Sequence, residues 1–247
     1  MRRDEVWLYS PAIDAEGHMI AYGHYGRPVL AFPTEDGTAT DYEQRGMVDA
    51  VAPLIAEGRM KLYTVASFDS VSWNAHDVPR EERARRHTLY EDWILNQVVP
   101  WIRHDCGGGF VDIIGTGPSF GGYHAANFAF KHSHIFPVAI CMSGVFDIER
   151  VGWGERGDHF YFNNPMYYVS NLEGDHLEYL RQRLSILLLA GQGQWEDTTG
   201  ALESTKQFAK LLESKGIRHE LDLWGHDVPH DWPSWRNQLA HHMHRFV

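Results

Sequence analysis

The sequence is poor in cysteine, in uninterrupted apolar stretches and in positive charge. Among 247 residues only Cys106 and Cys141 carry thiols, and no CxxC spacing occurs, so neither a disulfide framework nor a cysteine-based zinc or redox site is expected. The longest apolar stretches, 137–142 and 186–190, fall far short of the roughly 18 residues that cross a bilayer, so no membrane role is expected. Met1-Arg2-Arg3-Asp4-Glu5-Val6-Trp7 has no apolar core of a signal peptide, and a cytoplasmic location is the expectation. Lys plus Arg number 22 against 33 Asp plus Glu, a formal net charge of −11, which opposes binding to nucleic acid or anionic lipid. What is present, 43% hydrophobic and 13% aromatic residues, suffices for a sizeable core and predicts one folded domain over 1–247.

Eight β-rich runs, at 5–9, 18–22, 28–32, 60–67, 111–115, 136–143, 184–190 and 218–224, alternate with helical patterns at 41–57, 81–103, 119–132, 198–215 and 232–246. The alternation predicts an α/β protein with about eight strands in a mostly parallel sheet and helices on both faces. In 81–103, Leu89, Trp93, Ile94, Val98, Trp101 and Ile102 recur at helical spacing, and Arg80, Arg83, Arg85 and Arg86 read as a solvated face. Within 147–183, Gly, Asn, Pro and aromatic residues break every regular period, which predicts an irregular insertion or lid before the seventh strand. Its Trp153, Phe160, Tyr161, Tyr167 and Tyr168 either line a pocket or fasten the insertion to the sheet.

The chief chemical signal is Gly117-Pro118-Ser119-Phe120-Gly121, lying between a strand pattern and a helix pattern. A serine on so sharp a turn takes strained backbone angles, and flanking glycines remove side chains that would collide with the neighbouring strand and helix. The N–H of Phe120, at the start of the helix, then supplies half an oxyanion hole. The alternative is a glycine-rich connection whose Ser119 only caps the helix. A serine nucleophile also needs a histidine base and an orienting acid. Glu196 and Asp197 follow the seventh strand in Gly191-Gln192-Gly193-Gln194-Trp195-Glu196-Asp197, and His226 and His230 follow the eighth, so the chain order serine, acid, histidine is satisfied twice over.

These residues resemble the putative-esterase branch of the α/β-hydrolases, related to esterase D and the mycolyltransferases. The resemblance lies in Gly-Pro-Ser-Phe-Gly-Gly-Tyr-His at 117–124, in the Gly191-Gln192-Gly193 loop, and in His230-Asp231-Trp232-Pro233-Ser234-Trp235. It implies an α/β-hydrolase fold and assigns the base to His230, which opens the H-x-W-x-x-W segment, leaving His226 structural. For the acid, similarity to the mycolyltransferase loop favours Asp197 and similarity to bacterial esterases favours Glu196; Glu196 is the choice, with Asp197 as the alternative. Asp227 and Asp231 sit too near the histidines in sequence, and Asp231 is expected to cap the helix beginning at Trp232. The second oxyanion donor falls in Phe32-Pro33-Thr34-Glu35-Asp36-Gly37-Thr38, where family position points to the N–H of Glu35. Here the chain departs from the usual glycine-containing turn, because Pro33 has no N–H and Glu35 brings a carboxylate.

No metal is expected at His226/His230, since Pro229 disfavours a helix there, and His241, His242 and His244 read as exposed helix positions. Trp195, Trp232 and Trp235 are expected to fix the loops of the acid and base and keep water low around them. The sequence therefore predicts a cofactor-independent serine hydrolase acting on a small-molecule ester. The alternatives are an acyltransferase using the same three residues, or a catalytically silent scaffold that binds a ligand or partner. The oligomeric state is not legible.

Overall fold

The computed structural model describes residues 1–247. Eight strands form one sheet: β1 (Arg3–Ser10), β2 (Ala15–Tyr22), β3 (Arg27–Ala31), β4 (Met60–Val65), β5 (Ile114–Pro118), β6 (Val138–Met142), β7 (Ser185–Ala190) and β8 (His219–Leu223), in the order β1-β2-β4-β3-β5-β6-β7-β8. β2 pairs antiparallel with β1 and β4, and all later neighbours are parallel. The eleven α-helical segments are α1 (Asp41–Gln44), α2 (Met47–Ala50), α3 (Ala52–Ala56), α4 (Arg80–Trp93), α5 (Val99–Asp105), α6 (Phe120–Lys131), α7 (Asp158–Tyr161), α8 (Pro165–Tyr168), α9 (Gly174–Arg183), α10 (Ala201–Ser214) and α11 (Trp232–Met243). No helix is long and apolar enough to cross a membrane.

Alternation along the strands divides the core in two. Leu30, Phe32, Tyr63 and Val65 face a layer built by α4, α5, α6, α9 and α10, whose Trp93, Ile102, Phe128, Leu180 and Phe208 are buried there. Val29, Ala31 and Leu62 face the opposite layer, where α1–α3 and α11 supply Tyr42, Val48, Ile55, Trp235 and Leu239. The strand order reverses beside β3, which lies between β4 and β5; the carboxyl ends of the strands at such a switch point form the crevice where α/β sheets bind ligands.

Four sequence expectations are corrected. The helix at 41–57 is three short pieces, because Gly46 adopts φ 73° and Pro53 starts a new turn. The helix at 81–103 is interrupted by a π turn, Ile94–Val98, just ahead of Pro100, which has no N–H to donate. Its arginine-rich start is only in part a solvated face: Arg85 is exposed and pairs with Glu82, whereas Arg83 is 2% exposed and donates to the carbonyls of Val78 and Trp73, and Arg80 pairs with Glu149. Finally, 147–183 is less irregular than its composition suggests, since it holds α7 and α8 and ends in the ten-residue α9 with Leu177 and Leu180 turned inward.

Candidate active site

The loops that leave the carboxyl ends of β3, β5, β6, β7 and β8 converge on Ser119. This residue joins β5 directly to α6 with φ 53° and ψ −121°, in the strained region expected for an exposed serine on a strand-to-helix turn. The strand runs three residues further than its sequence pattern suggested, so Pro118 is its last residue and no slack separates sheet from turn. Ser119 N–H donates to the Met142 carbonyl at 2.8 Å, while its side chain makes no capping hydrogen bond, which removes the reading of Ser119 as a helix cap. The flanking glycines are steric necessities. A Cβ on Gly121 would stand 2.4 Å from the Phe32 carbonyl oxygen, and one on Gly117 would stand 2.5 Å from the Gly121 backbone.

His230 lies within reach of both other sequence-predicted groups. Its Nδ1 is 3.3 Å from Glu196 Oε2 and its Nε2 is 3.1 Å from Ser119 Oγ. A carboxylate can only accept, so Nδ1 carries the proton, and Nε2 is left to accept from the serine hydroxyl. Both ring nitrogens are thereby engaged. Glu196 is 1% exposed, and its Oε1 accepts from Ser143 Oγ at 2.5 Å and from Gly191 N–H at 3.1 Å. Asp197, one residue on, is exposed and accepts from the N–H of Thr198 instead.

The loops that carry Glu196 and His230 are bonded to each other, which fixes the imidazole relative to the carboxylate. Gly193 N–H donates to Val228 O at 2.9 Å, and His230 N–H donates to Gln194 O at 2.9 Å. A Cβ on Gly191 would lie 2.0 Å from Val228 O, so only glycine lets the two loops meet. Asp231 caps α11 through the N–H of Ser234 at 3.0 Å, as its position predicted. The cap orients Trp235, whose indole meets His230 edge-on at 4.9 Å and donates to Ser143 Oγ at 3.1 Å. Trp232 packs on Trp235, but Trp195 is 50% exposed and does not hold its loop as anticipated.

The turn that follows β3 runs from Thr34 to Gly37, closed by a 2.9 Å bond from Gly37 N–H to Thr34 O. Glu35 is exposed on it, and Asp36 takes φ 54°. Phe120 opens α6, its ring stacked on Tyr123 in a cluster with Trp73, Ile148 and Phe160. Phe160 and Tyr168 thus fasten the 147–183 segment to the body, whereas Trp153 stays exposed. Of the C-terminal histidines, His241 and His244 are exposed as expected, but His242 is buried and contacts Asp222 Oδ2 at 2.9 Å, and burial, working against the carboxylate, lowers its pKa. Sequence reasoning did not find Ser143, because a lone serine after a buried strand carries no motif.

A mostly parallel sheet whose central strand delivers a strained serine to a histidine and a buried acid is that of an α/β-hydrolase. The chain belongs to the family described as "Putative esterase", whose model matches residues 26–246, and is thereby a carboxylic ester hydrolase. Solved structures share the fold at low identity. A ferulic acid esterase superposes with a TM-score of 0.73 at 19% identity, covering 98% of this chain and 96% of the other. S-formylglutathione hydrolase (FrmB) from Staphylococcus aureus gives 0.71 at 15%, covering 99% and 96%. Mycobacterium tuberculosis MPT51 (FbpC1) gives 0.72 at 15%, covering 98% and 96%. No match was found among curated protein sequences.

Proposed function

We propose that this protein is a serine esterase that cleaves small-molecule carboxylic esters through an acyl-enzyme on Ser119, with residues 1–247 acting as one domain. Ser119 Oγ bonds to the ester carbonyl carbon while His230 Nε2 takes the hydroxyl proton, and the carbonyl π electrons move onto oxygen. Glu196 holds the Nδ1–H tautomer and stabilises the imidazolium that forms. The N–H groups of Phe120 and Glu35 receive the oxyanion. Collapse breaks the bond to the alkoxy oxygen, which leaves as the alcohol with the proton from His230. Water then repeats the sequence on the acyl-enzyme, losing its proton to His230; the carboxylic acid departs and Ser119 regains its proton. The scheme uses no metal or cofactor.

The observation that carries this reading is the chain of contacts from Glu196 through His230 to Ser119, at 3.3 and 3.1 Å. Glu196 is preferred to Asp197 because a buried carboxylate held by Ser143 and Gly191 keeps one oxygen fixed toward the imidazole, and an exposed one does not. The test is hydrolysis of p-nitrophenyl esters from acetate to decanoate by wild type, Ser119→Ala and His230→Ala. Both variants are expected to lose about 10⁴-fold or more in kcat/KM. Wild-type turnover no faster than that of the variants across the whole series would overturn the reading.

A further inference from the structure

The proposed oxyanion turn, closed across Glu35 and Asp36 by its own Gly37 N–H to Thr34 O bond, is also held from outside. Asp36 is a non-glycine residue at φ 54°, next to Glu35, and such conformations persist only where surrounding contacts over-determine them. Two such contacts come from a single loop, 69–74, which follows β4. Asn74 Nδ2 donates to Asp36 Oδ2 at 2.7 Å, and Asp36 N–H points to Asp69 Oδ2 at 3.4 Å. The loop is closed on itself, Asn74 N–H donating to the Asp69 carbonyl at 2.7 Å.

Asp69 also reaches the other half of the site. It is 1% exposed, and its Oδ1 lies 3.3 Å from His124 Nε2, outside hydrogen-bonding geometry. His124 sits one helical turn after Phe120 on α6, and its ring meets the Phe120 ring edge-on at 5.0 Å. One buried carboxylate therefore touches both α6, at His124, and the turn after β3, at Asp36, the two elements that carry the proposed donors Phe120 and Glu35. The rings around His124 are those of His87, Tyr90, Phe120 and Tyr123, so Asp69 is the carboxylate that His124 meets there.

We propose that Asp69 and Asn74 are positioning residues for the oxyanion hole, clamping Asp36 so that the Glu35 N–H keeps its place opposite the Phe120 N–H. The inference rests on the reading of Ser119 as nucleophile and of the Glu35 N–H as an oxyanion donor. Oxyanion donors act on charge that develops only in the transition state, so displacing one lowers kcat and leaves KM largely alone.

The experiment is steady-state hydrolysis of p-nitrophenyl acetate by wild type, Asn74→Ala, Asp36→Gly, their double variant and Asp69→Asn. Active-site concentration is fixed by fluorophosphonate labelling, and thermal melting is recorded for each protein. Glycine accepts the backbone angle at position 36, so Asp36→Gly removes the tether without new strain. Asn74→Ala and Asp36→Gly are each expected to lower kcat by about tenfold to a hundredfold, short of or near the cost of losing one oxyanion donor outright, with KM within about twofold. The double variant is expected to fall no further than the worse single one, because both cut the same contact. Asp69 is buried, and should Asp69→Asn fail to fold, the half-buried Asn74 carries the test. A kcat for Asn74→Ala within about twofold of wild type, or additive losses in the double variant, would overturn the clamp. A Ser119→Ala control separates the two levels: activity that survives it removes the serine reading, whereas serine-dependent activity indifferent to Asn74→Ala removes only the clamp.

Discussion

Glu196 and Ser143 are joined by a 2.5 Å hydrogen bond beneath His230, so the carboxylate that faces the imidazole is anchored from behind by a residue of a different strand end. Ser143 itself has φ 50° and receives the Trp235 indole N–H, which ties β6, the β7 loop and α11 into one buried assembly.

Glu196→Gln is expected to lower kcat by about 10³-fold or more, because an amide at that position can stabilise the wrong imidazole tautomer and carries no charge to offset the imidazolium. Asp197→Asn is expected to leave kcat within about twofold, as exposed substitutions do. Side-by-side kinetics on p-nitrophenyl acetate decide it, and the reverse ranking would move the acid to Asp197.

Ser143→Ala removes one acceptor from the Trp235 indole and one donor to Glu196. Each lost buried hydrogen bond costs about 1–3 kcal/mol when its partner is left unpaired, so a lower melting temperature and a lower kcat are both expected. Denaturant unfolding and kcat measured on the same preparations check this; a fully stable and fully active Ser143→Ala would show that the anchor is dispensable.

Gly121→Ala places a methyl 2.4 Å from the Phe32 carbonyl oxygen, closer than any relaxed contact allows. Moving α6 or the β3 end to admit it costs about 1–3 kcal/mol or more, and shifts the elbow that carries Ser119. Melting several degrees lower, with fluorophosphonate labelling slowed, is the expected result; wild-type values in both would contradict the steric account.

Burial, with His124 and Lys131 adding to it, holds the His87 imidazole well below its ordinary value of 6.5. The unfolded chain therefore binds a proton near pH 6.5 that the native state refuses. The resulting stability is complete above that pH and is lost as the pH falls below it, with a slope of at most about 1.4 kcal/mol per pH unit. His87→Phe, which keeps a ring among Trp73, Tyr90 and Tyr123, is expected to shrink the difference in melting temperature between pH 7.5 and pH 5. An unchanged difference would mean that His87 does not contribute to the acid sensitivity.

The elements that sequence made legible are those where one residue type satisfies a local requirement. Gly121 and Gly191 are demanded by close backbone approach, Asp231 by a bare helix N-terminus, and the strand alternation by the two core layers. The less legible elements depend on partners far away in the chain. Arg83 looked like a surface residue because nothing nearby foretells that the carbonyls of Trp73 and Val78 will surround its guanidinium. His242 looked exposed because Asp222 reaches it from β8. Ser143 and the Asp69 loop lie outside any motif, and only the sheet topology brings them to Ser119 and Asp36. The segment at 147–183 misled through its aromatic and glycine content, although Leu177 and Leu180 already carried the spacing of α9.

The most direct test of the central claim is the intact mass of the protein quenched during turnover of a p-nitrophenyl ester, followed by peptide mapping of any adduct. One acyl group on the peptide containing Ser119, absent from Ser119→Ala and accumulating in Glu196→Gln only slowly, is the predicted result. Steady turnover that needs Ser119 yet leaves no acyl adduct under any quench, or an adduct on another residue, would contradict it.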